Sequence, residues 1–222
     1  MANWQAILVS NFFAFVLGAL SSLCIVILVE WVRKPRLRLE IAPSRDQVYT
    51  NGYPAGKVRF LELTLRNSAL PRWLGWMSRS PASSCRAIID FLTPDRVRVF
   101  NRSMAARWSA SPQPVPLEFR LGDLTAAIMD PNRFNLASEI DVPAGEAESM
   151  GVVGRFDDDS DCYGWSNESY FGEPPWRNQD WRLPKGAYLV QVTVRASGEK
   201  CPRVFRLLND GPVNELRLES VS

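Results

Sequence analysis

The sequence predicts a single amino-terminal transmembrane α-helix followed by an all-β domain, an antiparallel β-sandwich. Three observations carry this reading. Ala6 to Val29 is a run of 24 residues with neither charge nor proline. Behind it, short segments alternate apolar and polar residues, the period of a half-buried strand. The 16 Pro and 13 Gly are scattered singly as turn punctuation between those segments. The chain therefore divides into an anchor with its basic flank, 1–35, and a β domain, 36–222.

The anchor comes first. At about 1.5 Å per residue, a helix over 6–29 covers roughly 36 Å, enough to cross a hydrocarbon core of about 30 Å with some tilt. Trp4 and Trp31 bracket the run, where interfacial aromatic belts form. A cleaved signal peptide fits poorly, because the leading residues MANWQ lack Lys and Arg and the apolar stretch is too long. Arg33, Lys34, Arg36 and Arg38 follow the run within six residues. The positive-inside rule puts that flank in the cytoplasm, with the amino terminus outside a cell (inner) membrane. Ser10, Ala14, Gly18 and Ser22 recur every fourth residue with Asn11 beside them. Small residues at that spacing let two helix backbones approach closely, so this stripe is the expected packing face for a partner helix or a second copy.

The strands follow in order. Pro35 ends the helix, and 36–42, RLRLEIA, begins the first strand. Lys57 to Arg66 is the second, after a turn-rich segment through Asn51-Gly52. Ser84 to Leu92 is the third, with Cys85, Ala87, Ile89 and Phe91 on one face. Arg96 to Phe100 reads as a fourth, joined to it through Thr93-Pro94-Asp95 as a hairpin turn. Leu124 to Met129 reads as a short helix. Further strands fall at 117–121, 140–142, 147–156, 187–195, 203–208 and 215–219. Strands every ten to fifteen residues without long helices between them give a sandwich whose pattern is loosely similar to the immunoglobulin-like one.

Charge and cysteine bound the chemistry. Net charge is +2, but residues 33–108 hold 15 basic and 5 acidic side chains and 109–222 hold 11 and 18. A basic half beside the anchor suits anionic membrane lipid. Of 26 basic residues 22 are Arg, many alternating with apolar residues on strands. No nucleic-acid motif accompanies them, so nucleic acid is not the expected partner. The four Cys contain no CxxC, and three of them lie outside the anchor, which fits free thiols in a reducing compartment. The chain has no His, which removes Ser–His and Cys–His pairs and imidazole-based zinc sites. Phosphate-binding glycine motifs and nucleophile elbows are missing as well.

Three stretches remain as candidate sites. Asp157, Asp159 and Asp161 have the 1-3-5 spacing of a calcium loop and Glu168 falls at position 12. Cys162 occupies the position where such a loop wants Gly, and solvated acidic turns share this composition. Leu70 to Arg79 mixes Arg72, Trp73, Trp76 and Arg79 with Leu and Met. That is the makeup of a membrane-interface segment, and also of a core-packing loop. Tyr163, Trp165, Tyr170, Phe171, Trp176 and Trp181 line a long Pro-rich loop, suited either to binding a partner or to closing an end of the sandwich.

The function expected from these features is that of a non-catalytic, single-pass membrane protein. It would be an accessory or scaffold subunit of a larger membrane complex, bound to lipid and to a transmembrane partner or another copy of itself. The alternative is a membrane-anchored sensor that takes a cation (calcium) or small ligand through the loops at 157–181. A carboxylate enzyme, with Cys162 as a possible nucleophile, is the third reading.

Overall fold

The computed structural model describes residues 3–49, 56–112, 114, 117–121, 124–128, 130, 132, 138–171, 177–196 and 198–221. Side chains are described for these except 3–10, 49, 117–121 and 124–128. Among the described residues, helix α1 (Asn3–Arg33) is followed by fourteen strands. They are β1 (Leu37–Ile41), β2 (Arg45–Tyr49), β3 (Gly56–Asn67), β4 (Ala82–Leu92), β5 (Met104–Ala105), β6 (Leu117–Leu121) and β7 (Leu124–Ile128), then β8 (Ile140–Val142), β9 (Ala147–Phe156), β10 (Cys162–Gly164), β11 (Arg182–Leu183), β12 (Gly186–Ala196), β13 (Glu199–Asn209) and β14 (Arg217–Ser220).

Two antiparallel sheets form an open sandwich. One runs β1-β3-β9-β10-β11 with β2 also on β3, and the other runs β14-β13-β12-β4-β5 with β8 also on β4. Alternation decides which side chains meet between them. Leu61, Leu63 and Leu65 of β3 face Cys85, Ala87, Ile89 and Phe91 of β4, Val190, Val192 and Val194 of β12, and Phe205 and Leu207 of β13, all buried. Trp108, Trp181 and Met150 fill the same core and are fully buried. On the outer face of the first sheet, Val58, Phe60, Phe156 and Tyr163 form a second cluster under Trp165. Two glycines of β9 make room for it: a Cβ on Gly151 would lie 2.8 Å from Trp165, and one on Gly154 3.0 Å from Phe60.

Two expected elements differ. Leu124 to Met129 is not helical: Leu124–Ile128 is β7, paired to β6 from Leu117↔Ile128 to Leu121↔Leu124, and Met129 lies outside the described residues. A six-residue helix gains too few hydrogen bonds to offset its nucleation cost, whereas two apolar runs separated by Gly122-Asp123 can pair as a hairpin. Arg96 to Phe100 is not a strand either. It forms a turn with positive φ at Arg96 and a single bridge, Leu92↔Arg98. The segment taken as turn-rich before β3 contains β2.

Candidate functional site

The end of the sandwich where α1 enters is built around buried polar groups. Pro35 stops the helix, leaving its last carbonyls without internal donors. Arg79, only 5% exposed, supplies them: its Nη1 donates to the Val32 carbonyl at 3.1 Å and to the Lys34 carbonyl at 2.7 Å. The Ser80 amide donates to the Arg33 carbonyl at 2.7 Å. Asn67, fully buried, ties this corner together. Its Oδ1 accepts from the Arg36 amide, and its Nδ2 donates to the Ser80 and Val142 carbonyls. The Ser68 amide closes the ring on the Arg36 carbonyl at 2.9 Å. The placement corrects the expectation for Arg79. It is not a surface cation but a buried cap on the helix end, and burial, then the nearby Arg36, lowers its pKa.

The rest of that segment is exposed except Leu70, Leu74 and Met77, which are half-buried. Trp73 and Trp76 are each 78% exposed, more than any large hydrophobic side chain described in α1. Trp31 at the helix end is 59% exposed and stacks under the Arg36 guanidinium. Arg72, Arg33 and Lys34 lie around the same corner, Lys34 pairing with Glu199 at 3.5 Å. Trp4 and Ser10 belong to α1, but their side chains lie outside those described.

Along α1, residues Asn11–Arg33 are long and apolar enough to cross a membrane, and the span is unburied. Asn11, Ala14, Gly18 and Ser22 are exposed, and a Cβ added to Gly18 would meet nothing within 4 Å. The Ser22 hydroxyl donates back to the Gly18 carbonyl at 2.9 Å, which satisfies it within the helix.

At the opposite end, the acidic loop is held by arginines. Buried Arg155 donates to the Asp159 carbonyl, to Asn209 Oδ1 and to the Gly211 carbonyl. Arg182 pairs with buried Asp161, and Arg177 with Asp158 and Asp159. The Asp157 carboxylate accepts the Lys57 amide at 2.9 Å. Burial would raise the Asp159 pKa, but the Asp161 amide, the Tyr163 hydroxyl and Arg177 outweigh it and lower the net value. Glu168 faces elsewhere, accepting from Arg102 and from Trp181 Nε1, each at 2.8 Å. Among the described residues no three His, Cys, Asp or Glu side chains are grouped to hold a metal ion.

The aromatic loop splits by burial. Tyr163, Tyr170 and Trp181 are core residues, 4%, 4% and 0% exposed. Trp165 is half-buried, edge-on to Phe60 and Tyr170. Phe171 is exposed, and Trp176 lies outside the described residues. The signal that separates them is hydrogen bonding: Tyr163 and Trp181 each place a polar tip on a carboxylate, which lets their rings be buried. Beside Phe171 an open cleft of about 470 Å³ is lined by Arg102, Glu168, Asn178 and Asp180. All four cysteines are free. Cys162 is fully buried, and burial pushes its thiol up to about 12, so it supplies no thiolate near neutrality.

No protein-family model, curated protein or solved structure matches the chain.

Proposed function

We propose that this chain is a non-catalytic, single-pass membrane protein that serves as an accessory or scaffold subunit of a larger membrane complex. The observation that carries the reading is the contrast between the two ends of α1. Its last turn is bonded to the sandwich through Arg79, Ser80 and Asn67, while its described apolar span is unburied, with Asn11, Ala14, Gly18 and Ser22 exposed. A helix stitched to its domain in this way belongs to the folded protein and fits poorly with a segment removed by processing. Its exposed Gly18 face is free to pack on another helix. The lack of His and the suppressed Cys162 thiol support a non-catalytic role. The basic flank after α1 supports a cytoplasmic domain.

An immunoglobulin-like sandwich is part of the same proposal. Strand order supports it: β1-β3-β9 in one sheet and β4-β12-β13 in the other match the A-B-E and C-F-G arrangement of that fold. Tyr188 near the start of β12 donates its hydroxyl to the Pro184 carbonyl four residues upstream, in the manner of a tyrosine corner. Domains of this kind serve widely as binding scaffolds, a fold-level analogy only.

The test is extraction of the native membrane in mild detergent with identification of co-purifying proteins. A stoichiometric partner, or a second copy, is expected with the wild type and is lost in Gly18→Ile but retained in Leu20→Ile, on another face of α1. A monomer that co-purifies with nothing in all three overturns the subunit reading.

A further inference from the structure

We infer that the 69–79 loop is a second membrane contact, which lays Trp73 and Trp76 into the lipid headgroup region beside the exit of α1. The inference rests on the reading that α1 crosses a bilayer. Both feet of the loop stand on the helix exit: the Ser68 amide bonds the Arg36 carbonyl, and the Ser80 amide bonds the Arg33 carbonyl. Arg79 locks the second foot to the Val32 and Lys34 carbonyls. Two residues lie between Trp76 and Arg79, so their Cα atoms are at most about 11 Å apart. The apolar span ends at Arg33, and the level of that residue is the boundary between hydrocarbon and headgroups. The loop therefore emerges at that boundary.

Its chemistry suits the place. Residues 68–81, SALPRWLGWMSRSP, contain two Arg and no acidic residue. Leu70, Leu74 and Met77 are half-buried, while both Trp rings face outward. Indole rings favour headgroup depth, where the ring is desolvated and the N–H stays hydrogen-bonded. Arg72 supplies a cation for lipid phosphate beside Arg33 and Lys34, which form exposed ion pairs with Glu30 and Glu199. A compact turn, with the Leu74, Gly75 and Met77 amides bonded to the Pro71, Arg72 and Leu74 carbonyls, holds the rings in place.

The experiment places a photoreactive benzoylphenylalanine, one site at a time, at Trp76, Phe15 or Val97 of the full chain in vesicles of phosphatidylcholine and phosphatidylglycerol. Phe15 lies in the apolar span, and Val97 is exposed beyond the far end of β4. Lipid adducts at positions 15 and 76, and none at 97, are expected. Adduct at 15 without adduct at 76 overturns the second contact and leaves the membrane span standing. So does a cross-link at 76 to protein instead of lipid. No adduct at 15 overturns the span, and this inference with it. A full-chain variant, Trp73→Ser with Trp76→Ser, completes the test. It is expected to keep its circular dichroism while a smaller fraction of its tryptophan emission is quenched by lipid brominated near the headgroup end of the acyl chain than in the wild type, and equal fractional quenching overturns the contact.

Discussion

Single side chains set the stability of both ends of the sandwich. Asn67 and Asn209 are fully buried amides that use both polar atoms on loop backbone or on Arg155. Asn67→Ala strands the Arg36 amide and the Ser80 and Val142 carbonyls, and should cost about 2–4 kcal/mol in urea unfolding. Tyr188→Phe loses a single bond to the Pro184 carbonyl and should cost about 1 kcal/mol by the same measurement. Two thiols give the molecule an alkaline limit. Cys85 and Cys162 are raised by burial from 9.0 to about 11 and about 12. The unfolded chain therefore loses these protons first. Their stabilising effect is complete below about pH 9 and is lost as pH rises toward 12. Wild-type melting temperature should fall across that window, and Cys162→Ala should flatten the fall.

Elements with strong alternation were legible, and those held by tertiary contact were not. β3, β4, β12 and β13 carry enough alternating residues to be placed within one or two residues at most ends, save the start of β13, and the buried face of β4 is the one its pattern names; β9, buried continuously from Met150 to Phe156, shows instead as an unbroken run between turns. β5, β10 and β11 are two or three residues long and carry no period. The buried arginines were equally hidden. Arg79, Arg107 and Arg155 look like the many surface arginines, yet each lies inside and donates to backbone carbonyls. At the candidate sites, the exposed Trp73 and Trp76 could be picked out by residue type, but the burial of Tyr163, Tyr170 and Trp181 depends on partners far along the chain. The outer cluster of the first sheet offers a direct check on one such contact. Gly151→Ala places a methyl group against Trp165 and should cost about 1–3 kcal/mol. Adding Trp165→Leu should recover part of that loss in a double-mutant cycle.

At the scale of the whole molecule, the basic first half and acidic second half meet. Lys34 pairs with Glu199, Arg86 with Glu139, and Arg102 with Glu168 and Asp180. Arg59 with Asp46, Arg45 with Glu62 and Arg66 with Glu40 are neutralised within the first sheet. The lopsided charge is thus partly neutralised, by Lys34, Arg86 and Arg102 across the two halves and by Arg45, Arg59 and Arg66 within the first sheet, and the cations of the helix exit lie nearest the lipid. A reporter fused after Ser222 should be active in the cytoplasm, and the Asn101 and Asn167 sequons should stay unmodified in a glycosylating host; glycan on either would reverse the orientation. The bonded corner at Asn67 and Arg79 has one more consequence. It removes the swivel that usually separates a membrane anchor from its cargo domain. The ten residues of β9 run from beside that corner to the acidic loop, roughly 33 Å away. Torque applied to α1 inside the bilayer is thus transmitted through a stiff lever, and the far loops turn with the helix.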